Sequence, residues 1–332
     1  EVLQEKIMTF GNQIAEIVHG VCNEFLGAPN KNNGDTFLII WRVTEDEASG
    51  HATRTNPAEL AVTAFATILG ALHSSKQLAE YRGHPGLQMR LGSDARVNIS
   101  FGLHAGWAIE GAVGSEYKID ASYLSPTVSI AASIERATET YDVSLIVSQA
   151  VVTLCGKQMR SKSRLIDNVM IRGSTEPIEL YSVDLDHMAL GVDSDDDPAP
   201  RNWNPKMRLK ARQFMEQEKK YIVNHDMIDI FDDDPLIRSM RRRFTVDFFQ
   251  YFNMGYQNYS QGQWEDAKTW LSKSRDMLGV VDGPSRALIA FMEAESSRPS
   301  RSRSRLEAPR DWKGVRGLGL EVGKPKNVEL SL

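Results

Sequence analysis

The hydrophobic pattern changes period in the middle of the chain, and this restricts the fold more than any other feature. From Val97 to His104 apolar residues alternate with others, Val97, Ile99, Phe101 and Leu103 against Asn98, Ser100, Gly102 and His104, the period-two pattern of a half-buried strand. Ala105 and Gly106 turn the chain. A second apolar run, Trp107 to Val113, carries Gly111 and Gly114 at its end, where backbone bends or is closely approached. From Thr127 the spacing becomes helical: Ile130, Ile134 and Ala137 fall at i, i+4 and i+7, and Ser129, Ser133 and Arg136 form the opposite stripe. Strand, strand and helix in so short a stretch imply a sheet with a helix laid on it.

The flanking sequence extends this pattern. Leu3, Ile7, Phe10, Ile14, Ile17, Val21 and Phe25 make a long amphipathic stripe ended by Gly27 and Pro29. Asp35 follows Gly34 in a turn, TFLIIW at 36–41 is a short strand, and 44–55 is a polar loop. Asn56 as cap, Pro57 and Glu59 open a helix with Leu60, Ala64, Ile68 and Leu72 on its buried face. After the central stretch, VSLIV at 143–147 is a buried strand. Ser148 then caps a brief helix closed by Gly156, and strands near 164–171 and 178–184 form a hairpin around Gly173 and Pro177. The strict βαβ rhythm of a doubly wound sheet is missing, so the expected fold is α+β, with helices on a largely antiparallel sheet and the helices near 3–26 and 57–80 on one face.

At Asp186 the texture changes to an acidic, Pro-bearing stretch, and the first domain is expected to span 1–186. Residues 187–240 are expected to be a charged linker with a helix near 205–224 and an acidic run from Asp226 to Asp234. In 241–295, Tyr251, Gly255, Tyr259, Gly262, Trp264, Ala267 and Leu271 have the spacing of one tetratricopeptide-type helical hairpin. One such repeat cannot bury its own face, so it must dock on the first domain or on a protein partner. The Arg/Ser-rich run SSRPSRSRSR opens a tail, 296–332, expected to be disordered.

Length and charge set the outer bounds. With 332 residues, 41% hydrophobic and 25% charged, the chain is ordinary globular material for a full domain and a smaller second one. A net charge of −5 gives no support to nucleic-acid binding by bulk electrostatics. Cys22 and Cys155 stand far apart in apolar runs, which excludes a disulfide framework or zinc site and makes both core residues. Nothing in the spacing of the seven histidines suggests a metal site, and His104 beside its Gly turn reads as structural. The longest apolar run, Leu60 to Leu72, is too short to span a bilayer, so the chain as written is expected to be soluble and cytoplasmic. Because it opens on Glu1 directly in a helix, an N-terminal truncation is expected, with room for a membrane anchor upstream.

The segments GLHAGWAIEGAVGS (102–115), KIDASYLSPTVSIAASIERAT (118–138), NKNNGDTFLIIW (30–41) and RLIDNVMIRGSTEPIELYSVD (164–184) together resemble the class III nucleotidyl cyclases, most closely their adenylate-cyclase-like members from protists. DGPS at 282–285 and DWKG at 311–314 are similar to the region that follows the cyclase domain in that subgroup. The resemblance implies the class III, ferredoxin-like sheet with covering helices, and takes 118–125 as a loop. It also implies conversion of ATP to cyclic AMP and pyrophosphate at a site shared by two subunits, with two Mg2+ or Mn2+ ions.

Carried over by position, the resemblance makes Asp35 a metal ligand and Lys31 the base-reading lysine, which favours ATP over GTP because it donates to the N1 acceptor of adenine. Ser122 falls at the second base-reading position, with Asp120 as the alternative, and Arg172 matches the cation that holds the triphosphate. Asn33 departs from the family's apolar residue, and the first metal aspartate is expected upstream of residue 1. The larger departure is on the helix after Ser125 and Pro126. There Ser129 and Ser133 replace the family's asparagine and arginine, with Arg136 one turn on as the nearby substitute. Three functions stay open: a dimeric adenylate cyclase, a degenerate half that binds nucleotide or pairs homo- or heterodimerically with a cyclase domain, and an interaction scaffold acting through the helical module.

Overall fold

The structure, a computed structural model, describes residues 3, 6–33, 36–43, 56–92, 96–171, 174–192, 205–297 and 306–318. Helix α1 (Lys6–Glu24) leads into a hairpin of β1 (Ala28–Asn33) and β2 (Thr36–Ile40). Helix α2 (Pro57–Ser74) starts where the Asn56 side chain accepts from the Ala58 amide and Pro57 fills the first turn. It is buried nearly all round, as a central core helix must be. Short helices α3 (Lys76–Glu80) and α4 (Pro85–Leu91) precede β3 (Phe101–Leu103), β4 (Ile109–Ser115), β5 (Lys118–Leu124), α5 (Pro126–Tyr141) and β6 (Leu145–Ser148). Then come α6 (Gln149–Leu154), α7 (Lys157–Arg160), the hairpin β7 (Ser163–Met170) and β8 (Ile178–Val183), and α8 (Pro205–Asn224). The last elements are α9 (Met227–Asp233), α10 (Pro235–Arg241), α11 (Val246–Ser260), α12 (Trp264–Met277), α13 (Gly283–Ser296) and β9 (Arg316–Gly317).

A five-stranded sheet, in the order β3-β6-β8-β7-β9, carries the fold. Strand β6, second from the β3 edge, sends Leu145 and Val147 into one core, with α1, α2, α9 and α10, and Ile146 into another, with α5, α11, α12 and α13. The period of two thus sorts one short strand between two helical layers. The mixed α+β character and the placement of α1 and α2 on one face follow the sequence pattern. Among the described residues no single helix is long and apolar enough to cross a membrane.

Several expectations need correction. The sheet is mixed and not largely antiparallel: β3 and β9 join β6 and β7 in parallel, while β8 is antiparallel to both of its neighbours. Residues 36–41, 97–104 and 107–113 do not share a sheet. Among the described residues the hairpin β1–β2 and the ribbon β4–β5 each pair only with themselves. The cause lies at Trp107, whose carbonyl accepts from Ser125 Oγ and from Thr127 Oγ1 (3.1 Å), so the chain is drawn to the start of α5 and leaves the sheet before Ile109. Residues 118–125 are mostly strand, with Ile119, Ala121 and Tyr123 alternating against Lys118, Asp120 and Ser122. The acidic run 226–234 contains α9, whose Met227 and Phe231 are fully packed. The tail is ordered over 306–318, because Arg316 and Leu318 are buried against the sheet and Trp312 packs on the last helices. Of its Arg/Ser-rich run, 298–305 lies outside the described residues.

Candidate functional site

Helix α5 carries the two positions where the sequence departs most from the cyclase pattern. Ser125 caps it, its hydroxyl accepting from the Thr127 amide at 3.0 Å, and Pro126 takes the first turn. The helix lies close on β3 because residue 102 is glycine: a Cβ there would come within 2.3 Å of the Glu135 nitrogen and 2.7 Å of the Ala131 oxygen. Ser100 Oγ donates to Glu135 Oε1 at 2.6 Å and fixes the rotation of the helix.

With that rotation Ser129 is exposed in the first turn, but Ser133 is only 8% exposed and donates its hydroxyl to the Ser129 carbonyl at 2.9 Å. This is the local back-bond common for serine in a helix. Arg136 is half-buried and donates Nε to the Ala132 carbonyl, 3.3 Å away on its own helix. The stripe therefore presents a hydroxyl and a helix-bound guanidinium, without the amide and free cation of the family pattern.

The base-reading candidates come together through the backbone. Lys31 stands in β1 and Ser122 in β5, opposite Gly111. Asn30 Nδ2 donates to the Ala121 carbonyl at 3.3 Å, which sets the strand of Lys31 beside the strand of Ser122. A second tie joins the same hairpin and ribbon: Arg42 Nε donates to Glu110 Oε2 at 3.1 Å, and Nη2 pairs with Oε1. The Arg42 hydrogen bond holds the Glu110 carboxyl below its ordinary range. Asp120, the alternative to Ser122, lies on β5 opposite Val113. The side chains of Lys31 and Asp120 lie outside the described residues, as do Asp35 and Arg172 altogether. Among the described residues no group of three or more His, Cys, Asp or Glu side chains could hold a metal ion; Asp35, the ligand that the resemblance implies for Mg2+ or Mn2+, lies outside them.

His104 is a structural tie, its Nδ1 2.8 Å from Ser148 Oγ across β3 and β6, with its pKa lowered by burial. Cys22 and Cys155 are buried free thiols, and burial pushes both up to about 12, which leaves them unreactive.

Two buried charge clusters escaped the sequence reading. Arg164 on β7 donates from Nε to Asp184 Oδ2 at 2.9 Å and from Nη2 to Asp282 Oδ1 at 2.9 Å. Burial alone would lower its pKa, but the two carboxylates keep it charged. On the same strand, fully buried Asp167 accepts from Tyr141 OH at 2.6 Å and pairs with Arg316 Nε at 3.0 Å. The available signal was the pair Arg164 and Asp167 inside the apolar run 163–171, since charges in a buried strand need partners.

No family model matches the chain. An adenylate cyclase of Anabaena cylindrica is 30% identical over 89 residues, which is 26% of this chain and 18% of that protein. Adenylate cyclase 1 of Rhizobium meliloti (strain 1021) is 24% identical over 153 residues, 46% of this chain and 20% of the relative. These matches thus span about a fifth of the length of each curated relative. Among solved structures, a bacterial light-regulated adenylyl cyclase aligns with a TM-score of 0.41 at 20% identity, over 65% of this chain and 50% of that one. Over these stretches the chain is similar in sequence to two curated adenylate cyclases, which supports a relationship to the nucleotidyl cyclases.

Proposed function

We propose that the chain is a cyclase-type half that binds ATP and pairs with a second cyclase domain, while contributing little turnover of its own. The observation that carries this is the state of α5, where Ser133 is folded onto the Ser129 carbonyl and Arg136 onto the Ala132 carbonyl. Cyclisation places negative charge on a pentavalent phosphorus, and a preorganised donor lost from such a site costs about a hundred- to a thousandfold in rate. A short hydroxyl already committed to its own helix does not supply that donor.

Pairing is supported by the ribbon β4–β5, whose Ile109, Val113, Ile119 and Leu124 are exposed and apolar, as is Trp107 before it. Base recognition is supported by the Asn30 to Ala121 bond, which sets the strands of Lys31 and Ser122 side by side. In this reading Lys31 donates to adenine N1, Ser122 stands at the second base contact with Asp120 as the alternative, and Arg172 meets the triphosphate. A divalent ion of the class, when bound, neutralises phosphate charge, and Asp35 is the residue assigned to hold it. The helical hairpin at 246–277 takes the tetratricopeptide-like role within a module at 241–295, beyond a cyclase homology domain at 1–186.

Isothermal calorimetry with ATP and GTP, on the wild type and on Lys31→Ala, tests the assignment. The expected result is ATP binding weakened about tenfold or more by Lys31→Ala, the loss of one charge-assisted hydrogen bond, with GTP affected less. Unchanged ATP affinity in the variant contradicts it.

A further inference from the structure

Residues 306–318 lie in a groove that has the makings of a receptor. Trp312 donates Nε1 to the Tyr259 carbonyl at 3.1 Å, and its ring sits 5.3 Å from Tyr259, 5.4 Å from Trp264 and 5.9 Å from Phe291. Four residues on, Arg316 is buried: Nε meets Asp167 Oδ2 at 3.0 Å, and Nη2 donates to Tyr141 OH at 3.1 Å. Its guanidinium lies 5.1 Å from the ring centres of both Tyr141 and Phe291. Two residues further, Leu318 is buried and its amide donates to the Met170 carbonyl at 3.2 Å. Between these anchors Lys313 and Gly317 are exposed, and the ladder to β7 is only Val169 with Arg316 and Met170 with Gly317.

Short strand addition to a sheet edge, with side chains at intervals entering preformed pockets, is how folded domains recognise extended peptides. The floor of this groove adds chemical selectivity. Asp167 is fully buried and also accepts from Tyr141 OH and the Asn168 amide, so its remaining need is for a planar, forked cation among aromatic rings. That describes an arginine better than a lysine.

We propose that the groove formed by β7, α11–α13 and the end of α5 is a peptide-recognition site for an arginine-anchored segment with tryptophan four residues before and leucine two residues after. Residues 306–318 are its resident ligand, and the same segment of a second copy of this chain is the partner it exchanges with. Ligand and groove are covalently joined, so the resident segment acts at an effective concentration near the millimolar range and keeps the groove closed to a free competitor. Weakening the resident anchors opens the groove without altering its walls. This inference does not depend on nucleotide binding.

The test uses a fluorescent synthetic peptide of residues 306–318 and the full chain, either wild type or carrying Trp312→Ala with Leu318→Ala. The peptide is expected to bind the double variant about tenfold or more tightly than the wild type, and an Arg316→Ala peptide to bind neither. Failure of the peptide to bind a folded variant, or equal binding to both chains, overturns the proposal. Hydrogen exchange on the wild type decides independently of the variant's folding. The Leu318 amide should exchange through an opening separate from the β7–β8 ladder; protection equal to that ladder means a fixed core strand, and the proposal fails.

Discussion

Ser133 and His73 both show how burial decides what a polar side chain can do. The Ser133 hydroxyl is committed within its helix. His73 sits 1% exposed at the end of α2, with neither ring nitrogen hydrogen-bonded and its ring stacked on His187 at 4.1 Å. Burial, followed by the nearby His187, Arg96 and Arg82, pushes its pKa from 6.5 down to about 3. The sign follows from the neutral form being the one the fold accepts. Below pH 6.5 the unfolded chain takes up a proton that the folded chain refuses, so stability is full above that value and is lost as pH falls toward 3. The loss approaches about 1.4 kcal/mol per pH unit. Urea unfolding at two pH values should therefore show His73→Phe losing about 2 kcal/mol less than the wild type between pH 6.5 and 5. Parallel pH slopes would mean the ring is hydrated in the folded state.

Elements are placed by close approaches as much as by hydrophobic stripes. The Ala131 and Glu135 backbone of α5 leaves no room for a Cβ at residue 102, so Gly102→Ala must push α5 off β3. A loss of about 1–3 kcal/mol in urea unfolding is expected, with the helix intact by circular dichroism; an unchanged midpoint would show that α5 is not seated on that strand. Much of the element pattern was legible because it rests on period alone: α2 with its Asn56 cap, the helical spacing of Ile130, Ile134 and Ala137, and the hairpin at 163–183. What escaped was decided by contacts the period does not encode. Strand β5 is the exception: it alternates Ile119, Ala121 and Tyr123 with Lys118, Asp120 and Ser122, a strand period that the family resemblance overrides by taking the segment as loop. The two apolar anchors of α9 are hidden among aspartates, and the segment 306–318 follows an Arg/Ser run that masks Trp312, Arg316 and Leu318. At the candidate site, the serines at 129 and 133, one helical turn apart, were legible, while the inward turn of the Ser133 hydroxyl was not.

Across the whole molecule, the helices after residue 245 are bound into the fold by buried charge as well as apolar packing. Arg164 on β7 grips Asp184 beyond β8 and Asp282, which caps α13, and its guanidinium lies 4.8 Å from the ring centre of Phe248 and 4.2 Å from that of Phe252. Gly283 passes so near α5 that a Cβ would stand 2.0 Å from the Tyr141 carbonyl. Truncating Arg164 strands two buried carboxylates, and Arg164→Ala should cost about 3–5 kcal/mol in unfolding free energy. Arg164→Lys should recover little of this, since a point charge cannot fork between both acids; full recovery would show that charge alone holds the layers together. The central claim is that this fold keeps a nucleotide-binding half while its own helix α5 lacks the transition-state donors. The most direct measurement is the rate of cyclic AMP formation by the purified chain with saturating ATP and Mg2+ or Mn2+. The account predicts a rate about a thousandfold or more below that of an intact class III cyclase assayed in parallel, and a comparable rate would contradict it.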